Sequence, residues 1–171
     1  MSVRRTAHWA SLVWLVIATA ATLSAQPLPV APRAPRHAVA EVRVDGFAGR
    51  APGAQAGVGV VLDAGTYTRL ALVAGAGVER RSHADALTGV QRVEGVARFH
   101  VDPFRQGGRG LYAGGGIAAR HAAGSPLRAL LVALVGIESR PHGGVASAVE
   151  AGVGGGVRVG VALRGARRDR R

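Results

Sequence analysis

Val90-Gln91-Arg92-Val93-Glu94-Gly95-Val96-Ala97-Arg98-Phe99-His100-Val101-Asp102 is the stretch that decides the fold. Read at every second position, Arg92, Glu94, Arg98, His100 and Asp102 share one parity, with Val96 among them. Val93, Gly95, Ala97, Phe99 and Val101 share the other. Successive side chains of a β-strand point to opposite faces, so the stretch predicts a strand with one ionic and one apolar face.

Seven more segments read the same way, separated by Gly, Pro, Ser or Asp clusters. They are Ala38–Phe47, Ala54–Asp63, Tyr67–Glu79, Gly110–Arg120, Leu127–Glu138, Gly144–Gly152 and Gly155–Arg164. In the second, Ala56, Val58, Val60 and Leu62 stand opposite Gln55, Gly57, Gly59 and Asp63. In the fifth in chain order, Leu111, Ala113, Ile117 and Ala119 stand opposite Tyr112, Gly114, Gly116 and Arg120. The middle of the sixth, Leu130-Leu131-Val132, is apolar on both faces. No formal charge falls on the apolar parity of any segment. Glycine interrupts nearly all of them, which disfavours helices.

Eight two-faced strands fit two arrangements. In a soluble barrel or sandwich the apolar face makes the core. In a transmembrane barrel the apolar face meets lipid and the polar face lines the lumen. The N-terminus bears on the choice. Arg4 and Arg5 precede an apolar run from Trp9 to Ala21, followed by Thr22-Leu23-Ser24-Ala25. This predicts a secretory signal peptide over residues 1–25, cleaved after Ala25 or, since Leu23 is large for its place, after Ala20 or Ala21. The run is too short for a spanning helix, which needs about 20 residues. Residues 26–37 hold four prolines and read as an extended linker. Export, an even strand count and segments near the roughly 9–11 residues of membrane strands favour the transmembrane barrel. The barrel domain is expected over 38–164 and a basic tail over 165–171.

Charge distribution agrees. The net charge is +12 and all 22 basic residues are Arg. On the ionic parity Arg43, Arg69, Arg92, Arg98, Arg120, Arg128, Arg158 and Arg164 face Glu41, Asp45, Asp63, Glu79, Glu94, Glu138 and Glu150. Near-neutrality is what a closed, paired interior requires, because an unpaired buried charge is costly. We expect a structural network of Glu41, Arg43, Arg69, Arg92, Glu94, Arg98, Arg120, Arg128, Glu138, Glu150 and Arg158. The remaining excess is scattered over turns and tails rather than gathered on one face with stacking aromatics, so no nucleic-acid partner is expected.

Gly110-Leu111-Tyr112-Ala113-Gly114-Gly115-Gly116-Ile117, with the alternation around it, resembles the small outer-membrane β-barrel families of OmpA-like and opacity-porin-like type. The resemblance covers roughly residues 38–164. It implies an eight-stranded antiparallel up-and-down barrel with both termini in the periplasm. It further implies a structural, adhesive or barrier role, with lipid and the barrel-insertion machinery as partners. It carries no catalytic residue and no specific protein partner. Phe47, Tyr67, Phe104 and Tyr112, at or just beyond strand ends, are expected to form an aromatic girdle. The chain departs from these families in its last strand, which ends Val161-Ala162-Leu163-Arg164 without a closing aromatic and is followed by the basic tail. The alternative is a soluble periplasmic, lipocalin-like barrel whose Val/Leu/Ala parity faces an apolar ligand.

Sites of chemistry are few. Cysteine is absent, which removes disulfides and thiolate metal sites. Gly114 to Ala119 matches GxGxxG/A, but no helix start or βαβ unit surrounds it, so a tight strand is expected. His83 with Asp85, and His100 with Asp102, offer two metal ligands each, and two rarely hold a metal. Ser82, Ser125, Ser139 and Ser147 lack a nucleophile elbow. No catalytic residue, cofactor or metal is expected. The longest loop is expected at Arg80–Thr88, on the outer side if the N-terminus is periplasmic.

Overall fold

The computed structural model describes residues 37–81, 84–103 and 108–165. Eight strands follow in order: β1 Ala38–Ala48, β2 Gly53–Asp63, β3 Thr68–Arg81, β4 Ala84–His100, β5 Arg109–Ala122, β6 Arg128–Ser139, β7 Val145–Val153 and β8 Val157–Gly165. Each pairs antiparallel with the next, and β1 pairs with β8, so the sheet closes on itself. The expected signal peptide, the linker to Arg36, the tail beyond Gly165, His83 and Phe104 lie outside the described residues.

Alternation becomes geometry in each strand. In β8, Arg158, Gly160, Ala162 and Arg164 are buried while Val157, Val159, Val161 and Leu163 are exposed. In β1, Glu41, Arg43 and Asp45 are buried and Val42 and Val44 exposed. The barrel is therefore inverted relative to a soluble one: charge fills the interior and aliphatic side chains cover the wall. Leu131 is 82% exposed and Ile117 68%. The outward positions of β1, β2, β7 and β8 carry no charged residue. Eleven-residue strands such as β1 and β2 span about 25 Å of height at the usual tilt, the thickness of an outer-membrane apolar band. A lipocalin-like interior is thereby excluded, because the Val/Leu/Ala parity faces out.

Two expectations about length are corrected. The deciding strand runs Ala84–His100, 17 residues, and stops before Val101 and Asp102. The expected loop at Arg80–Thr88 is mostly strand: Glu79 to Arg81 and Ala84 to Thr88 continue the β3–β4 ladder across an irregularity between Arg80 and Arg81. Two paired strands satisfy each other's backbone groups, so the ladder persists beyond the band where alternation is strict.

Wall height is uneven. At the end bearing Ala38 and Gly165, here the terminal end, lie the turns 64–67 and 140–144, the end of β4 and the start of β5. At the opposite, distal end, β3 to β6 rise above the short turns 49–52 and 154–156. Pairing of β6 with β7 begins only at Ala133↔Val153, so residues 128–132 of β6 stand above β7.

Candidate functional site: an ionic lumen

The interior is built from side chains that the pleat sends inward. Arg43 on β1 is its centre, 2% exposed. Its Nε and Nη2 donate to the two Asp45 carboxylate oxygens at 2.9 and 2.8 Å, a bidentate pair. Nη2 also donates to Glu150 at 2.7 Å, and Nη1 to Glu41 and Glu94 at 3.4 and 3.3 Å.

Three carboxylates collect four more arginines. Glu41 accepts from Arg98 Nη1 and Nη2 at 2.7 and 3.0 Å and from Arg164 Nε at 2.6 Å. Glu150 accepts from Arg164 Nη2 and from the Tyr112 hydroxyl, each at 2.6 Å. Glu94 accepts from Arg92 Nε at 2.9 Å and from Arg158 Nη1 at 2.8 Å. Towards the terminal end Glu138 binds Arg164 and, at 3.2 Å, Arg69, which also pairs with Asp63. Towards the distal end Arg120 binds Glu79. Among the described residues every buried carboxylate thus accepts from at least one guanidinium. Desolvating so many charges is tolerable only because each is paired with an opposite charge. Carboxylates held this way serve packing rather than proton transfer.

Ten of the eleven residues expected in the network face the lumen. Arg128 does not belong to it: the residue has the inward parity but is exposed, because β6 rises above its neighbour there. Without it, seven arginines on the inward parity face seven acids. Asp45 and Arg164, on the ionic parity but not singled out from the sequence, are central. Signals for both were present in the alternation.

The aromatic girdle is corrected more heavily. Tyr112 is 1% exposed, inside the barrel, between Glu150 and Arg164. Its ring also lies 5.0 Å from that of His100. Gly136, in register with Tyr112, leaves the space the ring occupies; a Cβ there would fall within it. Phe47 likewise has the inward parity, and its ring carries the Arg92 guanidinium at 5.4 Å. Of the three girdle residues that are described, only Tyr67 faces out, stacked on exposed Phe99 at 5.8 Å. Sequence parity already separated Tyr112 and Phe47 from the wall; proximity to a strand end was the weaker criterion.

The lumen is not wholly ionic. Val96, Tyr112, Ala118, Val132, Leu134, Ala148 and Ala162 form an apolar cluster, with Leu130 against it. This explains why the sixth segment is apolar on both faces. Gly114 and Gly116 face inward from β5, with neighbouring backbone too close for a Cβ, so the GxGxxG/A match marks tight packing in a strand. His100 is buried against Tyr112, and Asp102 lies beyond the strand. Among the described residues no cluster of three His, Asp or Glu side chains could hold a metal. At the distal mouth a cleft of about 20 Å³, lined by Phe47, Gln55, Glu79, Arg92 and Arg120 among others, has room for a water or two.

No family model matches the chain, and no curated protein does. Solved structures do. Neisserial surface protein A aligns with a TM-score of 0.55 at 15% identity, over 76% of this chain and 94% of that one. A de novo designed transmembrane β-barrel aligns at 0.52 and 16% identity, over 78% and 97%. The designed barrel TMB2.3 aligns at 0.51 and 12% identity, over 81% and 99%. At these identities the likeness is one of fold: this chain has the closed eight-stranded architecture of transmembrane barrels.

Proposed function

We propose that the chain is a non-enzymatic outer-membrane β-barrel with a structural or surface-contact role in the envelope, its lumen closed by Arg–carboxylate packing. The observation that carries the proposal is the inverted polarity, with paired ions inside and a predominantly aliphatic wall outside. In water such a wall would be an aggregation surface far larger than a monomer tolerates; in lipid it is the required one. The N-terminal segment read as a signal peptide supplies export, and the insertion machinery and the bilayer are the partners this requires. The fold shared with Neisserial surface protein A supports the same compartment. Membrane fractionation with heat-modifiable gel migration tests it. The mature chain should sediment with the outer membrane and migrate faster unboiled than boiled. A chain found in the soluble periplasm without that shift would refute the proposal.

A further inference from the structure

Arg92, Arg120 and Arg128 stand in one row across β4, β5 and β6: Arg92 pairs in register with Arg120, and Arg120 with Arg128. Directly opposed residues on one face have Cβ atoms about 4.5–5.5 Å apart, and like charges so placed repel. The acids nearby do not balance them. Glu79 binds Arg120, while Glu94 is divided among Arg92, Arg43 and Arg158. Arg92 is 3% exposed and fixed on three sides, by Glu94, by the Gly154 carbonyl at 2.7 Å and by the Phe47 ring. Yet its Nη2 has no hydrogen-bond partner among the described residues. Arg92 and Arg120 both line the distal cleft, and Arg128 is exposed at the rim beside them. A buried guanidinium N–H left unmatched beneath two arginines that share a single acid is the arrangement an oxyanion completes.

We propose that the distal mouth is an anion site, taking a phosphate group between Arg120 and Arg128 with Arg92 beneath. Phosphate is favoured over a monovalent halide because two planar guanidinium forks match its several acceptor oxygens. The group could belong to a free ion or to a lipid headgroup reaching over the rim, and the chemistry is the same for both. This goes beyond the structural role proposed above and does not depend on it, since the site can be titrated in detergent.

The test is thermal unfolding of the full folded barrel in zwitterionic detergent, read by gel mobility, as chloride is replaced by inorganic phosphate at constant ionic strength. A ligand bound only by the folded state raises the midpoint. The midpoint should rise with phosphate, and Arg128→Gln should raise the half-saturating concentration about tenfold through loss of a charge-assisted contact. Arg80→Gln, at the same end but on the outer face, should leave it unchanged. In nanodiscs, a phosphate-dependent rise in phosphatidylcholine alone identifies the soluble ion. A rise only with phosphatidic acid present, lost in Arg128→Gln, identifies the headgroup. No rise with either, or equal weakening by Arg80→Gln and Arg128→Gln, overturns the site.

Discussion

At the scale of single residues the lumen behaves as a network of paired ions. Arg98 gives Glu41 two hydrogen bonds and pairs with Glu150 at 3.2 Å. Arg98→Ala should destabilise the barrel by about 3–5 kcal/mol, the usual cost of leaving a buried charge without its partner. Removing Glu41 as well should recover part of this, so the double variant loses less than the two singles together. Urea unfolding in vesicles, followed by gel mobility, measures both; an Arg98→Ala barrel as stable as the parent would contradict the network. Tyr112 and Gly136 make a second test. Gly136→Ala places a methyl where the Tyr112 ring lies, and overpacking of this kind costs about 1–3 kcal/mol. Combining it with Tyr112→Ala should relieve the clash, although the Glu150 hydrogen bond is then lost. Equal midpoints for parent and Gly136→Ala would mean that the ring moves freely aside.

At the scale of the strand, alternation carries the membrane reading into a depth profile. Val161, in the middle of β8, and Val157, at its distal start, are both exposed. Arginine at a midplane lipid-facing site costs about 2–4 kcal/mol and near an interface about 0–1. Val161→Arg should therefore abolish or sharply reduce folding into vesicles, while Val157→Arg should fold nearly as the parent does. If the two behave alike, the wall is not graded by a bilayer. The long β3–β4 ladder belongs to this scale too. Its residues beyond Glu79 were legible as polar and turn-like, which predicted a loop; pairing across the hairpin overrode that local signal, as it does wherever backbone groups can satisfy each other.

At the scale of the molecule, closure with eight strands leaves an interior just wide enough for side chains. Arg43, Arg98, Arg158 and Tyr112 occupy it across its width, and all are among the largest fully buried side chains. Reconstituted in planar bilayers the protein should show no steady open-channel conductance; persistent single-channel steps would show the packing to be permeable. The barrel also has uneven ends. Its outward aromatic pair, Tyr67 on Phe99, sits at the terminal end, and the arginine row sits at the distal mouth.

The period-two alternation by itself determined the strand number, the two faces of each strand and the near-neutral composition of the ionic face. These are local properties: they depend on which residues lie two apart and on the pleat that separates them. It also held the signals for Tyr112 and Phe47 as inward residues, and for Asp45 and Arg164 as members of the network. Tertiary structure alone decided which arginine meets which acid, because partners such as Arg43 and Glu150, or Arg164 and Glu41, are set by the closure of β1 on β8 and by distances across the lumen. It decided that Arg128 leaves the network, since the height of β6 over β7 depends on register between strands. It decided, for the same reason, that three arginines from three successive strands share one row at the distal mouth. Parity fixes a side chain's face, but its depth and its neighbours follow only from how the strands are staggered around the closed sheet.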